Sequence, residues 1–290
     1  MSGMSQYVKG FLITLAGIIV LSPDALLIRL LATDDWTIVF YRGVMTALTL
    51  AAFLYWRRGR GVVGLARQMD TGAVLAGVLY AVGNISFVQS INHTLVSNTL
   101  VILAATPLIA ALLSHIFLRE KQHRETWIAI VLVFGGVGVI FAGSVGAGHL
   151  FGDFMALIAA TAMAGNLVSL RRSRLQTPLP SVVLGGMLAA LVSFSFAAPL
   201  EMSADDLLIL AALGVVVMPL SFGLIFTGPK YIPAPDVALI MLLEAILGPL
   251  LVWAVLSEAP TLRVVLAGSL IIATIGLHAF VSLRRNGRNS

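Results

Sequence analysis

The chain has 290 residues, 59% of them hydrophobic and only 11% charged, with a mean hydropathy of +1.01. A soluble domain carries roughly 25% charged residues, so this composition excludes a soluble enzyme or nucleic-acid-binding module and describes a chain immersed in a bilayer. The net charge of +5 comes from 18 basic and 13 acidic residues, and the lack of Cys removes disulfides, thiolate metal sites and thiol chemistry.

A helix needs about 20 apolar residues to cross the hydrocarbon core. The hydropathy pattern predicts ten spans, near residues 8–31, 36–56, 70–91, 95–118, 124–143, 151–170, 181–200, 205–227, 234–256 and 262–283. The first is too long for a signal-peptide core and no small-residue cleavage pattern follows it, so it is expected to be retained as a span. Trp36, Trp56, Trp127 and Trp253 all fall near span ends, where indole prefers to sit. The connections are short and leave no room for a folded soluble module.

The basic residues orient this set of spans. With the N-terminus inside, the inner side holds Lys9, Arg57, Arg58, Arg60, Arg67, Arg119, Lys121, Arg124, Arg171, Arg172, Arg174, Lys230, Arg284, Arg285 and Arg288, which is 15 of the 18 Lys and Arg residues. Arg263 alone falls outside, and Arg29 and Arg42 fall within spans. This bias places both termini in the cytoplasm. Its role is orientation, not recruitment of nucleic acid.

Ten spans divide into two sets of five, residues 1–145 and 146–290. Because five is odd, the second half lies inverted relative to the first, an arrangement from which many secondary transporters build a site open to either face in turn. A shift of 138 residues carries Glu120 onto Glu258, Ala129 onto Ala267 and Gly138 onto Gly276. Each Glu lies in a short turn after a long apolar span and before a Gly-containing span, with Glu120 expected inside and Glu258 outside. The glycines of spans 5 and 10 read mainly as close-packing positions.

This layout resembles the drug/metabolite transporter superfamily and its EamA-type five-span repeat. The resemblance rests on Thr106-Pro107 through Leu118-Arg119-Glu120, followed by Gly135-Gly136-Val137-Gly138. In the second half it rests on Glu244 through Leu256-Ser257-Glu258-Ala259-Pro260, then Gly268 and Gly276, with Ser257 in place of the usual glycine. Tyr41-Arg42 in span 2 also resembles the arginine found there in the family. Overall the chain looks most like the bacterial amino-acid exporters of the YddG type. The resemblance implies an all-helical bundle of two inverted five-helix repeats in the bacterial inner membrane. It also implies a cavity lined mainly by spans 1, 3, 4, 6, 8 and 9, with spans 5 and 10 bracing it.

Ionisable groups within spans are costly and are functional candidates by default. Four are read within spans: Asp24, Arg29, Arg42 and Glu244. Arg29, near the outer end of span 1, is expected to reach the headgroups with its long stem. Asp24 and Arg42 both lie about 10 Å below the outer end of antiparallel spans, at 1.5 Å per residue, so they can meet. Such a pair either braces spans 1 and 2 or serves a zwitterionic substrate or an outer gate. Ser22-Pro23 predicts a kink beside Asp24.

Tyr80, Asn84 and Phe87 follow i, i+4, i+7 spacing and share one face of span 3. That stripe suits an amphipathic substrate or helix packing. Met163 and Asn166 in span 6, and Met218, Ser221 and Phe222 in span 8, are further cavity candidates. Glu244, near the midplane of span 9, is the repeat counterpart of Thr106. It could bind a substrate ammonium group, take part in proton coupling or hydrogen-bond a neighbouring helix.

The dispersed His residues offer no metal-ligand spacing. No phosphate-binding glycine loop followed by Lys is present, and no nucleophile–base pair at matching depth suggests an intramembrane enzyme. No cofactor is implied. The expected function is secondary transport of a small organic solute, chiefly export of amino acids with aromatic or apolar side chains. Drugs or other metabolites are the alternative cargo, and a purely structural membrane protein the alternative class. Organic phosphates fit less well, since no group of cations is expected near the midplane. A monomer or weak homo-oligomer is expected.

Overall fold

The computed structural model describes residues 6–59, 64, 67–120, 122–145, 147–173, 175, 177–198, 202–225, 227, 231–232, 237 and 240–286. Of the inner basic residues, Arg60, Lys121, Arg174, Lys230 and Arg288 lie outside this set, as does most of the start of the ninth predicted span. The described residues form helices and no strands.

The helices are α1 (Gln6–Leu21), α2 (Asp24–Leu30), α3 (Asp35–Arg58), α4 (Thr71–His93), α5 (Val96–Leu103), α6 (Thr106–Phe117) and α7 (Arg124–Ser144). They continue as α8 (Leu150–Arg172), α9 (Leu179–Phe194), α10 (Ala204–Ala211), α11 (Met218–Ile225), α12 (Glu244–Leu256) and α13 (Leu262–Asn286). Seven stretches are long and apolar enough to cross a membrane: Gln6–Leu30, Asp35–Arg57, Thr71–His93, Val96–Phe117, Arg124–Ser144, Leu150–Arg172 and Ala204–Ile225. Three shorter apolar helices, Leu179–Phe194, Glu244–Leu256 and Leu262–His278, occupy the other predicted positions. Large apolar side chains such as Leu48, Val131, Leu191 and Leu266 point outward and remain uncovered by protein. This outer surface is suited to lipid, and the chain is a multi-pass membrane protein.

Local sequence explains where the helices start. Asp34 and Asp70 cap α3 and α4 by accepting from the amides of Thr37 and Ala73, and Ser203 caps α10 through the amide of Asp206. Each cap satisfies one of the amides that a helix start leaves without a partner. The first span breaks at Ser22-Pro23, where proline cannot donate to the helix ladder and Ser22 turns its hydroxyl back to the Ile18 carbonyl.

The Ala204–Ile225 span contains an unexpected wide turn, a π-helical segment over Ala212–Val217. It lies immediately before Met218-Pro219, where the proline ring would clash with a regular turn. A π-bulge relieves such a clash.

The 138-residue shift is visible in the backbone. The Val96–Phe117 span breaks at Ala104-Ala105, and the corresponding span in the second half breaks at Leu242-Leu243. Each break carries a tightened i→i−3 bond at the same place, Ala105 N–H to Ile102 O and Leu243 N–H to Ile240 O, both 3.0 Å. Helix resumes at Thr106 and at Glu244. Both spans then end on a non-glycine residue in the left-handed region, Arg119 (φ 56°) and Ser257 (φ 57°). Left-handed backbone is uncommon for residues with a Cβ, so its recurrence at one register is a strong sign of a shared turn.

Close packing explains how the spans are held together. Gly43 on α3 faces Gly186 on α9 so tightly that a Cβ at Gly43 would sit 2.5 Å from the Gly186 carbonyl oxygen. A Cβ at Gly185 would lie equally close to the Gly77 carbonyl oxygen on α4. These contacts let three helices approach at backbone distance. For spans 5 and 10 the packing reading needs correction: Gly136 meets Ile271 and Gly268 meets Val101, whereas Gly135, Gly138 and Gly276 have open space beside them.

A second correction concerns buried charge. Asp153, in the first turn of α8, is fully buried, though it is not among the four ionisable groups read within spans. It accepts from Thr94 Oγ1 (2.7 Å), Asn98 Nδ2 (3.0 Å) and Ser144 Oγ, joining the starts of α5 and α8 to the end of α7. Asp153→Ala leaves these donors without their acceptor, at about 1–3 kcal/mol for each group left unsatisfied. The variant is expected to lower the melting temperature in detergent by several degrees, with transport per folded molecule unchanged.

Candidate functional site

The most polar part of the bundle interior is centred on Arg42. Its Nη2 lies 2.8 Å from Asp24 Oδ2, and both residues are 3% exposed. Asp24 is there because the break at Ser22-Pro23 starts a new half-helix with the aspartate as its first residue. Arg42 comes from the middle of α3.

Around this pair stand side chains from three other spans. The Phe87 ring faces the guanidinium at 5.4 Å from its centroid, and the Met218 sulfur lies 3.5 Å from Arg42 Nη2. Tyr80 meets Phe222 edge-on at 5.8 Å between ring centroids. Glu244 opens α12 at the repeat-related break and, like Tyr80, lies in the electrostatic field of both Asp24 and Arg42. The sequence reading sets no cation beside the midplane residues. The structure corrects this, because Arg42 belongs to the same cluster as Glu244 and Tyr80.

The pair is incompletely satisfied. Asp24 Oδ1, Arg42 Nε and Arg42 Nη1 are buried with no hydrogen-bond partner among the described residues. Unpaired buried groups of this kind are rare in folded proteins and call for an explanation. The side chains of Glu244 and of the buried Asn84, on the Tyr80–Phe87 face, also make no hydrogen bond to a described residue. The pair therefore keeps a guanidinium edge and a carboxylate oxygen without a partner among the described residues, beside Phe87 and Met218.

Met163 and Asn166 are placed differently from expectation. Asn166 Nδ2 donates to the Ala76 carbonyl (2.6 Å), which uses the amide to join α8 to α4. Met163 packs beside Gly83 and is 37% exposed. Both belong to the α4–α8 interface, because the rotation of span 6 about its axis is set by packing. Ser221 donates to the Met218 carbonyl within its own helix. A crevice of about 480 Å³ lies away from the cluster, between Leu95, Asn98, Ile140, Ser144 and Arg263.

Two further ion pairs lie at the ends of the bundle. Arg29 Nε is 3.2 Å from Glu258 Oε2, and Arg29 Nη1 donates to the Ile91 carbonyl at 3.0 Å. The Val96 amide donates to Glu258 Oε1 at 2.8 Å. Arg29 is thus tied into protein and does not snorkel freely to headgroups as the sequence suggests. At the other end, Arg171 Nη1 lies 3.4 Å from Glu120 Oε2.

The EamA-like transporter family matches this chain twice, over residues 8–142 and 150–280. Fifteen chains of solved structures also match. One, a protein crystal structure, superposes with a TM-score of 0.68 at 18% identity, covering 96% of this chain and 99% of the other; that likeness shows a shared fold. No curated protein matches. With the repeat matched in both halves, the chain belongs to the EamA-like transporter family, whose members are membrane transporters of small solutes and not enzymes.

Proposed function

We propose that the protein exports amino acids with aromatic or other large apolar side chains, by alternating access between two inverted five-span repeats, residues 1–145 and 146–290. In this reading the chain crosses a bacterial inner membrane ten times, and the positive-inside bias supports cytoplasmic termini. The observation that carries the substrate reading is the unsatisfied edge of the Asp24–Arg42 pair. Arg42 Nε and Nη1 would take the substrate carboxylate, in the forked geometry that guanidinium favours. Asp24 Oδ1, Glu244 and Asn84 would receive the ammonium group. Tyr80, Phe87, Met218 and Phe222 would enclose the side chain, where each buried methylene contributes about 0.8 kcal/mol. Met163 and Asn166 would take only an indirect part, through the position of α4.

An acidic amino acid brings a second carboxylate with no further cation to receive it, since Arg42 is the only guanidinium in the cluster among the described residues. An organic phosphate meets the same shortage. Counterflow in proteoliposomes loaded with unlabelled phenylalanine tests the reading. Labelled phenylalanine, tryptophan and methionine are expected to exchange about tenfold or more faster than glutamate, reflecting the cost of burying an unpaired charge. Equal rates for glutamate and phenylalanine overturn the amino-acid assignment, and faster exchange of a sugar phosphate replaces it with a phosphate exchanger.

A further inference from the structure

The carboxylates of the ion pairs Arg29–Glu258 and Arg171–Glu120 occupy equivalent places in the two halves, and each arginine lies in the last turn of its helix. Glu120 and Glu258 each follow the left-handed residue that ends a broken span, Arg119 and Ser257, 138 positions apart. Each carboxylate pairs with an arginine from the opposite half: Glu120 with Arg171 at the end of α8, and Glu258 with Arg29 at the end of α2. They also lie at opposite ends of the bundle. Glu258 receives the amide of Val96, which begins the Val96–Phe117 span, while Glu120 lies just beyond that span's other end. At 1.5 Å per residue these 22 residues separate the two by about 33 Å.

The two ends are not equally closed. The Arg29 and Glu258 side chains are 29% and 16% exposed, and this end adds the Ile91 carbonyl and the Val96 amide to the ion pair. Arg171 and Glu120 are 60% and 49% exposed and meet at 3.4 Å. A partly buried, multiply bonded pair holds its ends together more firmly than a solvated one. Both pairs join the same two halves, so a rocking motion that opens one end strains the first pair and compresses the second.

We infer that Glu258 with Arg29, and Glu120 with Arg171, are the two gates of the transporter, parted in alternation during transport, with both pairs joined in this structure and the Glu258 gate the more firmly shut. The inference rests on the alternating-access reading and not on the identity of the substrate. It assigns Arg29 and Arg171 to gating, not to interaction with lipid headgroups.

The Cys-free chain permits a direct test. Asn84→Cys supplies a single thiol in the central cluster, and an impermeant maleimide is applied to right-side-out and to inverted vesicles. Glu258→Gln is expected to raise the labelling rate from the Glu258 side by about fivefold or more, the scale of a typical coupling between sites, and to lower it from the other side. Glu120→Gln should act in the opposite sense. The exchanged pair Arg29→Glu with Glu258→Arg should return labelling towards the parent value. Labelling that rises from both sides shows a loosened fold and overturns the inference, as does labelling unchanged by either glutamine substitution. The assay needs no substrate, so reciprocal labelling together with failure of the parent protein, with Asn84 intact, in phenylalanine counterflow would retain the gates and reject only the amino-acid reading.

Discussion

Asp24→Ala is expected to abolish transport and to destabilise the protein by about 3–5 kcal/mol, because it leaves the Arg42 charge buried and unpaired. Arg42 is 3% exposed, and two of its donors already lack a partner among the described residues, so the environment has little to offer in place of the carboxylate. The double variant Asp24→Ala/Arg42→Met separates brace from binding site. Replacing a buried pair by apolar side chains is often neutral or stabilising, so the melting temperature in detergent should recover most of its loss. Transport should not recover, since no group remains to receive the substrate carboxylate. A double variant that melts normally and still exchanges phenylalanine would reduce the pair to a brace between α2 and α3. Arg42→Lys adds a finer test. It keeps the charge but loses the planar fork, and should lose affinity while retaining stability.

The meeting of Asp24 and Arg42 was legible in the sequence because antiparallel spans convert residue counts into depths. The turn geometry around Glu120 and Glu258 was legible for a related reason. One register, 138 residues, aligns the breaks, the left-handed residues and the two acids. The helix start at Glu244 was only half visible. Its counterpart, Thr106-Pro107, announces a break with a proline, whereas Leu242-Leu243 has none. Applying the repeat to backbone breaks as well as to side chains identifies the position.

Other features had no local signal. Arg29 looks like a headgroup-seeking arginine because it lies near a span end, and its carboxylate partner is 229 residues away. Asp153 resembles an ordinary acid in the first turn of a helix; only the fold brings Thr94, Asn98 and Ser144 around it. Helix rotation was the main limit for Asn166 and Met163. Hydropathy establishes that span 6 crosses the membrane, but the small residues at its contact with α4 decide which side chains face the cluster. The closest approaches of a glycine to a facing carbonyl oxygen fall on α3, α4 and α9, whose glycines are less conspicuous than the Gly-rich run of α7.

Glu244→Gln should reduce phenylalanine counterflow by roughly tenfold to thirtyfold with little loss of stability. Glutamine is nearly isosteric with Glu244, so the fold has little to lose when the charge is removed. Glutamine preserves the shape of the side chain and can still accept a hydrogen bond through its carbonyl oxygen. It cannot offer a full negative charge to an ammonium group, and a hydrogen bond involving a charged partner is worth about 1.5–3 kcal/mol against roughly 1 for a neutral one. In a cluster sheltered from water the difference approaches the upper end of that range, since every 1.4 kcal/mol is about a factor of ten. The position of Glu244 as the first residue of α12 strengthens the argument. The amides of the helix start favour a carboxylate there, and the break at Leu242-Leu243 makes Glu244 the first residue of that start. Binding should weaken most for substrates with a free ammonium group and hardly at all for N-acetylated phenylalanine, if that compound enters the site. Equal exchange of phenylalanine by the parent and Glu244→Gln would remove Glu244 from the site and leave Asp24 as the only carboxylate able to receive the ammonium.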